Sequence, residues 1–391
     1  MTVRSKVLMV HPGAELYGAD RVFLASVAAV ANHGALVTVV LPQKGPLVEE
    51  LERLQVTVRF CPTPVLRKSM LRPRGLLRLA GLTLDSFGKG QRLLADIEPN
   101  VVYISTLTIP LWGLLGRLAG KPVLTHVHEA EGSAPQILLR LLAAPLMLSS
   151  SIVSNSHFSA RVLVRSLPLL SGRTQVLYNG MPGPKRVEVA RETIHGALRM
   201  LYVGRLSRRK GVDVAVEAVA RAREEGVNVT LDIVGDVFPG YEEFEKDLRQ
   251  RVRLLELEHV VTFHGFKDDV WPLRNATDVA IVPSSFDEPF GNTAVEAILS
   301  ARPLIVSDTS GLREAAAGYA SAQLVEPGNI DAFVRAIAAV SVRWNHYRMT
   351  AIGDAQQAAH RHSLHKYAFD LNQQMDALVT GTPQRRSHVQ S

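Results

Sequence analysis

The chain has 391 residues, 47% hydrophobic and 21% charged, which excludes a disordered chain and is too long for one ordinary core. Its single cysteine, Cys61, excludes an internal disulfide and a cysteine-built zinc site, and fits a reducing compartment. The net charge of +7 is uneven: residues 1–180 hold 19 Lys+Arg against 10 Asp+Glu, and the remainder holds 25 against 27.

The first apolar run, KVLMV, is about half the length of a signal-peptide core and reads as a strand. No window reaches the roughly 18 apolar residues that span a bilayer. A cytoplasmic protein is expected, with room for contact at the inner face of a membrane. After KVLMV the segment HPGAELYGADRVFLASV sets Gly13 and Gly18 between strand and helix. Its G-x-x-x-x-G spacing lacks the Lys-Ser/Thr of a Walker A loop, and G-x-G-x-x-G is also missing, so a kinase, an ATPase and a dinucleotide oxidoreductase are disfavoured. A glycine loop remains, able to bring a helix start close to a ligand.

The strands continue with LVTVVL, VTVRF, VVYIS, PVLTHVH and SIVSNS, with helix-length segments between them. This alternation predicts a doubly wound parallel sheet with sites at the C-terminal strand ends. Within it, VLRKSMLRPRGLLRLAG carries Arg67, Lys68, Arg72, Arg74 and Arg78 among leucines, with no acid before Asp85. Such a segment suits either an anionic membrane surface or a solvated helix face, and its lack of aromatics argues against nucleic acid. His126 and His128 alternate onto one face of their strand. His126 reads as a satisfied core histidine, and His128, nearest the strand end, as a polar contact for a sugar; no third metal ligand lies nearby.

After a Pro- and Gly-rich stretch the pattern restarts with LRMLYVG, NVTLDIVG, VVTFHG, VAIVPS, PLIVSD and SAQLVEP. The expected division is a first domain over 1–180, a linker or hinge over 181–196 and a second domain over 197–360. A terminal helix is expected over 361–379 and a disordered tail over 380–391. In YVGRLSRRKGVDVAVEAVA, Arg205 leaves a strand and Lys210 stands at a helix entrance beside Gly211, an anion site suited to a diphosphate. In SSFDEPFGNTAVEAILSAR a buried strand breaks into a loop and a helix follows. The amides of Phe290, Gly291, Asn292 and Thr293 can take phosphate oxygens. Glu296, one turn in, is placed to accept from ribose hydroxyls, and Glu288, on the loop, is expected to face a sugar.

Taken together, GADRVFLASV, VVYIS, THVHE, SNSHFSARVL, LYNGM, YVGRLSRRKG, LDIVGD, VTFHGF, FDEPFGNTAVEA and RPLIVSD resemble, in order and over nearly the whole chain, glycosyltransferase family 4. That resemblance implies the GT-B fold: two Rossmann-like domains facing across a cleft, with a C-terminal helix crossing back to the first. It implies a retaining transfer of a hexosyl-type sugar from a nucleoside-diphosphate sugar to a carbohydrate or lipid-linked acceptor, in envelope or exopolysaccharide synthesis. Arg205 and Lys210 would bind the diphosphate, Glu288 the donor sugar and Glu296 the ribose. His128 would lie beside the reacting sugar and Gly18 in the glycine loop. Gly235, in LDIVGD, would join the donor site, with Gly265 and Phe266 bordering the base. Two positions depart from the family pattern. Ser310 precedes Gly311 where paired glycines are usual, and Asp20 stands where glutamate is common. No D-x-D triplet occurs, so neither a metal nor another cofactor is expected. The rival readings are a sugar-nucleotide epimerase and a non-catalytic sugar-nucleotide-binding subunit of a polysaccharide assembly complex.

Overall fold

The central strands form where runs of β-branched and aliphatic residues are buried on both faces, and a helix connects most successive strands. A computed structural model describes residues 4–66, 73–130 and 132–382 and divides the chain into two units, Met1–Gly180 with Leu364–Ser391 and Met181–Ser363. In the first unit, elements follow as β1 (Lys6–Val10), α1 (Gly18–Asn32), β2 (Leu36–Leu41), α2 (Pro46–Arg53), β3 (Thr57–Phe60), α3 (Pro73–Ile97) and β4 (Val101–Ile104). Then come α4 (Pro110–Leu118), β5 (Val123–Val127), α5 (Gln136–Ala143), β6 (Ser151–Ser154), α6 (His157–Ser166) and β7 (Thr174–Val176). The sheet order is β3-β2-β1-β4-β5-β6-β7, with its described pairs parallel.

The second unit repeats the scheme with β8 (Leu198–Val203), α7 (Val212–Glu224), β9 (Val229–Val234), α8 (Glu242–Leu254), β10 (Val261–Gly265), α9 (Trp271–Ala276) and β11 (Val279–Val282). It continues through α10 (Asn292–Leu299), β12 (Leu304–Ser307), α11 (Ser310–Ala316), β13 (Ala322–Val325), α12 (Ile330–Val342) and α13 (Trp344–Arg361). Its order is β10-β9-β8-β11-β12-β13, again parallel. In each sheet the order reverses beside the first strand, between β1 and β4 and between β8 and β11. The loops leaving those strands open a crevice at their C-terminal ends, the usual ligand position in such sheets.

The terminal helix is α14 (Leu364–Thr380), which begins later than 361 and belongs with the first unit. Tyr367, Leu371 and Met375 join Phe23, Val27 and Val30 of α1 in one buried cluster, and Asn372 donates to the Ala29 carbonyl at 3.1 Å. Gly180 lies so close to Tyr367 that an added Cβ would fall 2.7 Å from its Cβ. Two elements were not anticipated: the three-residue β7, and α13, a separate helix before the break at His362.

The 181–196 segment is not a free linker along its later half. Arg302, 1% exposed, donates to the carbonyls of Glu188, Thr277, Asn275 and Ser300 at 2.7–2.8 Å. Arg191 grips the fully buried Asp278 through Nε at 3.0 Å and Nη2 at 2.6 Å, and Trp344 Nε1 donates to the Arg191 carbonyl. These bonds build residues 188–191 into the second unit. Arg67, Lys68 and Arg72 of the basic window lie outside the described residues, and Arg74 and Arg78 fall in the first turns of α3.

Because Arg302 donates to several backbone carbonyls from within the core, Arg302→Leu is expected to destabilise the second unit by about 3–5 kcal/mol. Arg221→Ala, at a half-exposed pair with Asp331, is expected to cost under about 1 kcal/mol. Urea denaturation of both variants checks the contrast, and equal midpoints would contradict it.

Candidate functional site

The site of the second unit is set by glycines that let backbone approach backbone. Gly211, at φ +68°, sits where an added Cβ would fall 1.9 Å from the Pro283 carbonyl oxygen, so the loop after β8 lies against the end of β11. Gly235, at φ +137°, lies equally close to the Gly204 carbonyl, which brings the end of β9 to the same loop. No side chain fits either place, and both positive angles favour glycine. The loops thus meet at the reversal of strand order.

This approach places Lys210 Nζ 2.8 Å from Glu288 Oε1. Glu288, the loop acid expected to face a sugar, is only 5% exposed. Ser284 Oγ donates to the same carboxylate oxygen at 3.1 Å. A buried carboxylate is costly unless paired and hydrogen-bonded, and here the lysine and the hydroxyl supply both. Lys210 keeps partial exposure, so the pair presents its cation outward. Arg205 is exposed, with its guanidinium carbon 3.1 Å from the centroid of the Phe238 ring.

Behind the loop, the main chain of Glu288 is clamped from α11. Ser310 Oγ accepts from the Glu288 N–H at 2.8 Å and donates to the Glu288 carbonyl at 3.2 Å, and the Gly311 N–H donates to that carbonyl at 2.9 Å. Ser310 holds φ at +36°, a left-handed angle that costs a non-glycine residue energy. The departure from paired glycines therefore adds a side-chain clamp. Gly311 must remain glycine, because an added Cβ would fall 2.5 Å from the Pro289 carbonyl oxygen.

Beyond Pro289, Gly291 caps α10 at φ +123°, where an added Cβ would meet Leu312 at 2.5 Å. Amides of Gly291 and Thr293 at this helix start have no acceptor within the helix. Phe290 contributes only its backbone to this edge, since its ring is 2% exposed and packs 5.7 Å from His362. Glu296 is partly accessible, and its Oε2 accepts from Arg274 Nη2 at 2.6 Å. Arg274 was missed in the sequence. It is 2% exposed, and burial pushes its guanidinium pKa down while Glu296 holds it up. Gly265 ends β10 at φ +67°, with the half-exposed Phe266 after it.

The first unit carries a different constellation at its own reversal. His11, leaving β1, hydrogen-bonds through Nδ1 to Ser105 at the end of β4 and through Nε2 to Asp20 Oδ1 at 2.8 Å. Asp20 Oδ2 accepts from the Tyr17 N–H at 2.9 Å, and Gly18 opens α1 beside it. None of His11, Ser105 or this use of Asp20 was anticipated. Adjacent to them, Thr106 donates to Glu129, whose carboxyl is pushed up by burial.

His126 proves only half satisfied. Four contacts run in a buried chain: His126 Nδ1 to Tyr103 OH at 2.7 Å, Tyr103 OH to Ser26 Oγ at 3.1 Å, Tyr367 OH to Ser26 Oγ at 2.6 Å, and Ser26 Oγ to the Val22 carbonyl at 2.9 Å. One proton assignment supplies all four: His126 Nδ1–H donates to Tyr103, both tyrosines donate to Ser26, and Ser26 donates onward. His126 Nε2 is then a bare acceptor without a partner. The His128 ring stands 4.0 Å away, its Nε2 also buried and unpartnered. Burial and the neighbouring His11 push His128 down to about 3, and burial and His128 lower His126. Both are neutral imidazoles at pH 7.

Two outcomes follow from this geometry. Ser310→Gly relieves the left-handed strain but removes the hydroxyl, so the urea midpoint should correspond to a change under about 1 kcal/mol while the Glu288 amide exchanges about tenfold faster; unchanged exchange would remove the clamp. His126, His128 and His362, which burial also pushes down to about 3, take up protons on unfolding between their folded values and about 6.5. Stability is fully present above pH 6.5 and is lost as pH falls, by roughly 1 kcal/mol per histidine for the first pH unit below it, with the raised Glu129 offsetting part. A pH series of urea titrations reads the slope, and a rise in stability on acidification would contradict it.

Two family models match the chain: a glycosyl transferase 4-like domain over residues 17–180 and glycosyl transferases group 1 over residues 188–351. The chain is similar to a 2-deoxystreptamine glucosyltransferase of Streptomyces kanamyceticus, 26% identical over 77% of this chain and 83% of that protein. It is 34% identical to a glycogen synthase of Mycobacterium tuberculosis over 36% of this chain, a match that spans about a third of that relative's length. Among solved structures, the Anabaena protein HepE in complex with UDP and glucose superposes with a TM-score of 0.78. It is 20% identical over 96% of this chain and 100% of that one. With two parallel sheets of matching strand order and both family models on the chain, the protein belongs to the glycosyltransferases of GT-B fold and family-4 type.

Proposed function

We propose that this protein transfers a hexosyl-type sugar from a nucleoside-diphosphate sugar to a carbohydrate or lipid-linked acceptor hydroxyl, with retention at the anomeric carbon. The observation that carries the reading is the Lys210–Glu288 pair at 2.8 Å, with a helix start on the same loop. A cation and first-turn amides beside one another suit a diphosphate, and the buried carboxylate next to them suits a sugar hydroxyl or developing positive charge on a sugar ring. Glu296, partly accessible at the side of α10, is the acceptor for ribose hydroxyls. Arg205 adds a second cation for the diphosphate. Gly235, Gly265 and Phe266 border the nucleotide, and HepE, of the same fold, has been solved with UDP-glucose.

In the proposed step the bond from the anomeric carbon to the diphosphate oxygen breaks and the acceptor oxygen bonds to that carbon on the same face. The acceptor proton passes to the departing diphosphate oxygen. Lys210, Arg205 and the amides of Gly291 and Thr293 stabilise the charge that develops on the leaving group. His128, neutral at working pH, accepts a hydrogen bond from a sugar hydroxyl without adding charge. Acceptor recognition falls to the first unit.

A thermal-shift screen across UDP-, GDP- and ADP-sugars should raise the unfolding temperature with one base class, since a ligand that binds only the folded state stabilises it. With that donor and a panel of glycan and lipid-linked acceptors, nucleoside-diphosphate release should fall about 100-fold or more in Glu288→Gln while donor binding changes little. Full transfer by the variant would sink the assignment. Transfer should persist in chelator, and an inverted anomeric centre in the product would overturn retention.

A further inference from the structure

We propose that the first unit carries an interfacial docking surface for an anionic lipid bilayer, built by α4, α5 and the two 3-10 turns beside them, apart from the loops at the strand ends. Residues 114–118 read LLGRL and residues 137–141 read ILLRL, an apolar residue at each end with arginine at the fourth position. In both helices the two ends of the motif face outward. Leu118 is 60% exposed, Ile137 74% and Leu141 66%, and Leu114 is more than a third exposed. Beside each pair stands an exposed arginine, Arg117 or Arg140.

The two helices share one surface. The turn at Ala144–Leu148 continues α5 and packs against α4, where Gly113 lies against Leu148. Met147, on that turn, is exposed, and Arg173 donates to its carbonyl at 3.2 Å and to that of Ser149 at 2.9 Å. Arg173 ends the turn Pro168–Arg173, on which Leu169 is 70% exposed. Six large apolar side chains therefore project from adjoining segments, and three of the four segments carry an arginine, Arg117, Arg140 or Arg173. Single exposed leucines are ordinary; a cluster of this kind is not.

Charge decides the occupant. No Asp or Glu occurs between Glu98 and Glu129, nor between Glu131 and Glu188, while those stretches hold Arg117, Lys121, Arg140, Arg161, Arg165 and Arg173. Glu98 borders Leu118 across a shallow recess of about 360 Å³, which Lys121 also lines. The partner is thus anionic and accepts apolar side chains. A second copy of the chain pairing through this face about a two-fold axis would set arginine against arginine. A bilayer meets both requirements: leucines enter the headgroup boundary while arginines reach the phosphates.

The test is co-sedimentation of the full chain with phosphatidylglycerol–phosphatidylcholine vesicles and with phosphatidylcholine vesicles, alongside sedimentation velocity without lipid. The wild type should bind the anionic vesicles. Ile137→Ser/Leu141→Ser should lower the partition coefficient about tenfold or more, and Leu118→Ser should lower it independently. Arg117→Gln/Arg140→Gln should remove the preference for anionic lipid. These side chains are exposed, so an unchanged urea midpoint certifies the fold of each variant. Absence of wild-type binding overturns the proposal. So does binding unaffected by the serine variants, which would move the contact elsewhere, to residues 67–78 for instance. A dimer that the serine variants dissociate, without vesicle binding, also overturns it and makes the face an interface between copies.

Discussion

The candidate donor site depends on one ion pair, Lys210 with Glu288, closed at the point where the second sheet reverses its strand order. The pair exists because two loops touch at backbone distance, and they touch because Gly211 has no Cβ to strike the Pro283 carbonyl. Everything around it serves a carboxylate taken out of water. Lys210 and Ser284 both meet its Oε1, Ser310 and Gly311 hold its backbone, and Leu312 packs under Gly291. A carboxylate so enclosed cannot drift, which is what a group aimed at a reacting sugar requires.

The first unit solves a different problem with buried polar chains. His11, Asp20 and Ser105 join β1, α1 and β4, while His126, Tyr103, Ser26 and Tyr367 join β5 to α14. Tyr367 arrives from the far end of the chain, so the terminal helix helps set which nitrogen of His126 carries its proton. The unpartnered Nε2 atoms of His126 and His128 mark where that network stops. Buried polar networks of this kind specify geometry at the expense of stability at low pH.

The strands were legible because continuous aliphatic runs can hide only inside a parallel sheet, and their alternation with helix-length segments carries the rest of the architecture. β7 escaped because three residues, Thr174 to Val176, make no periodic signal ahead of a Pro- and Gly-rich stretch. α13 escaped because polar residues interrupt its apolar face. Residue types at the site were also legible: Lys210 beside Gly211, Glu288 before Pro-Phe-Gly, Glu296 one turn into a helix. Their partners were not. Arg274 lies 22 residues from Glu296 and Ser105 lies 94 from His11, and no local pattern announces a pair that only folding brings together. The burial of Glu288 was not legible for the same reason, since nothing local to a loop acid marks the strand end that packs beside it.

The affinity of a nucleoside diphosphate for the second unit's loop is the decisive quantity. Calorimetric titration of the preferred nucleoside diphosphate into wild-type protein and into Lys210→Ala measures it. The wild type should bind one equivalent and the variant should bind about 10- to 100-fold more weakly, the loss of one charge-assisted contact. Equal affinity in the two proteins, or no binding of any nucleoside diphosphate by the wild type, would contradict it.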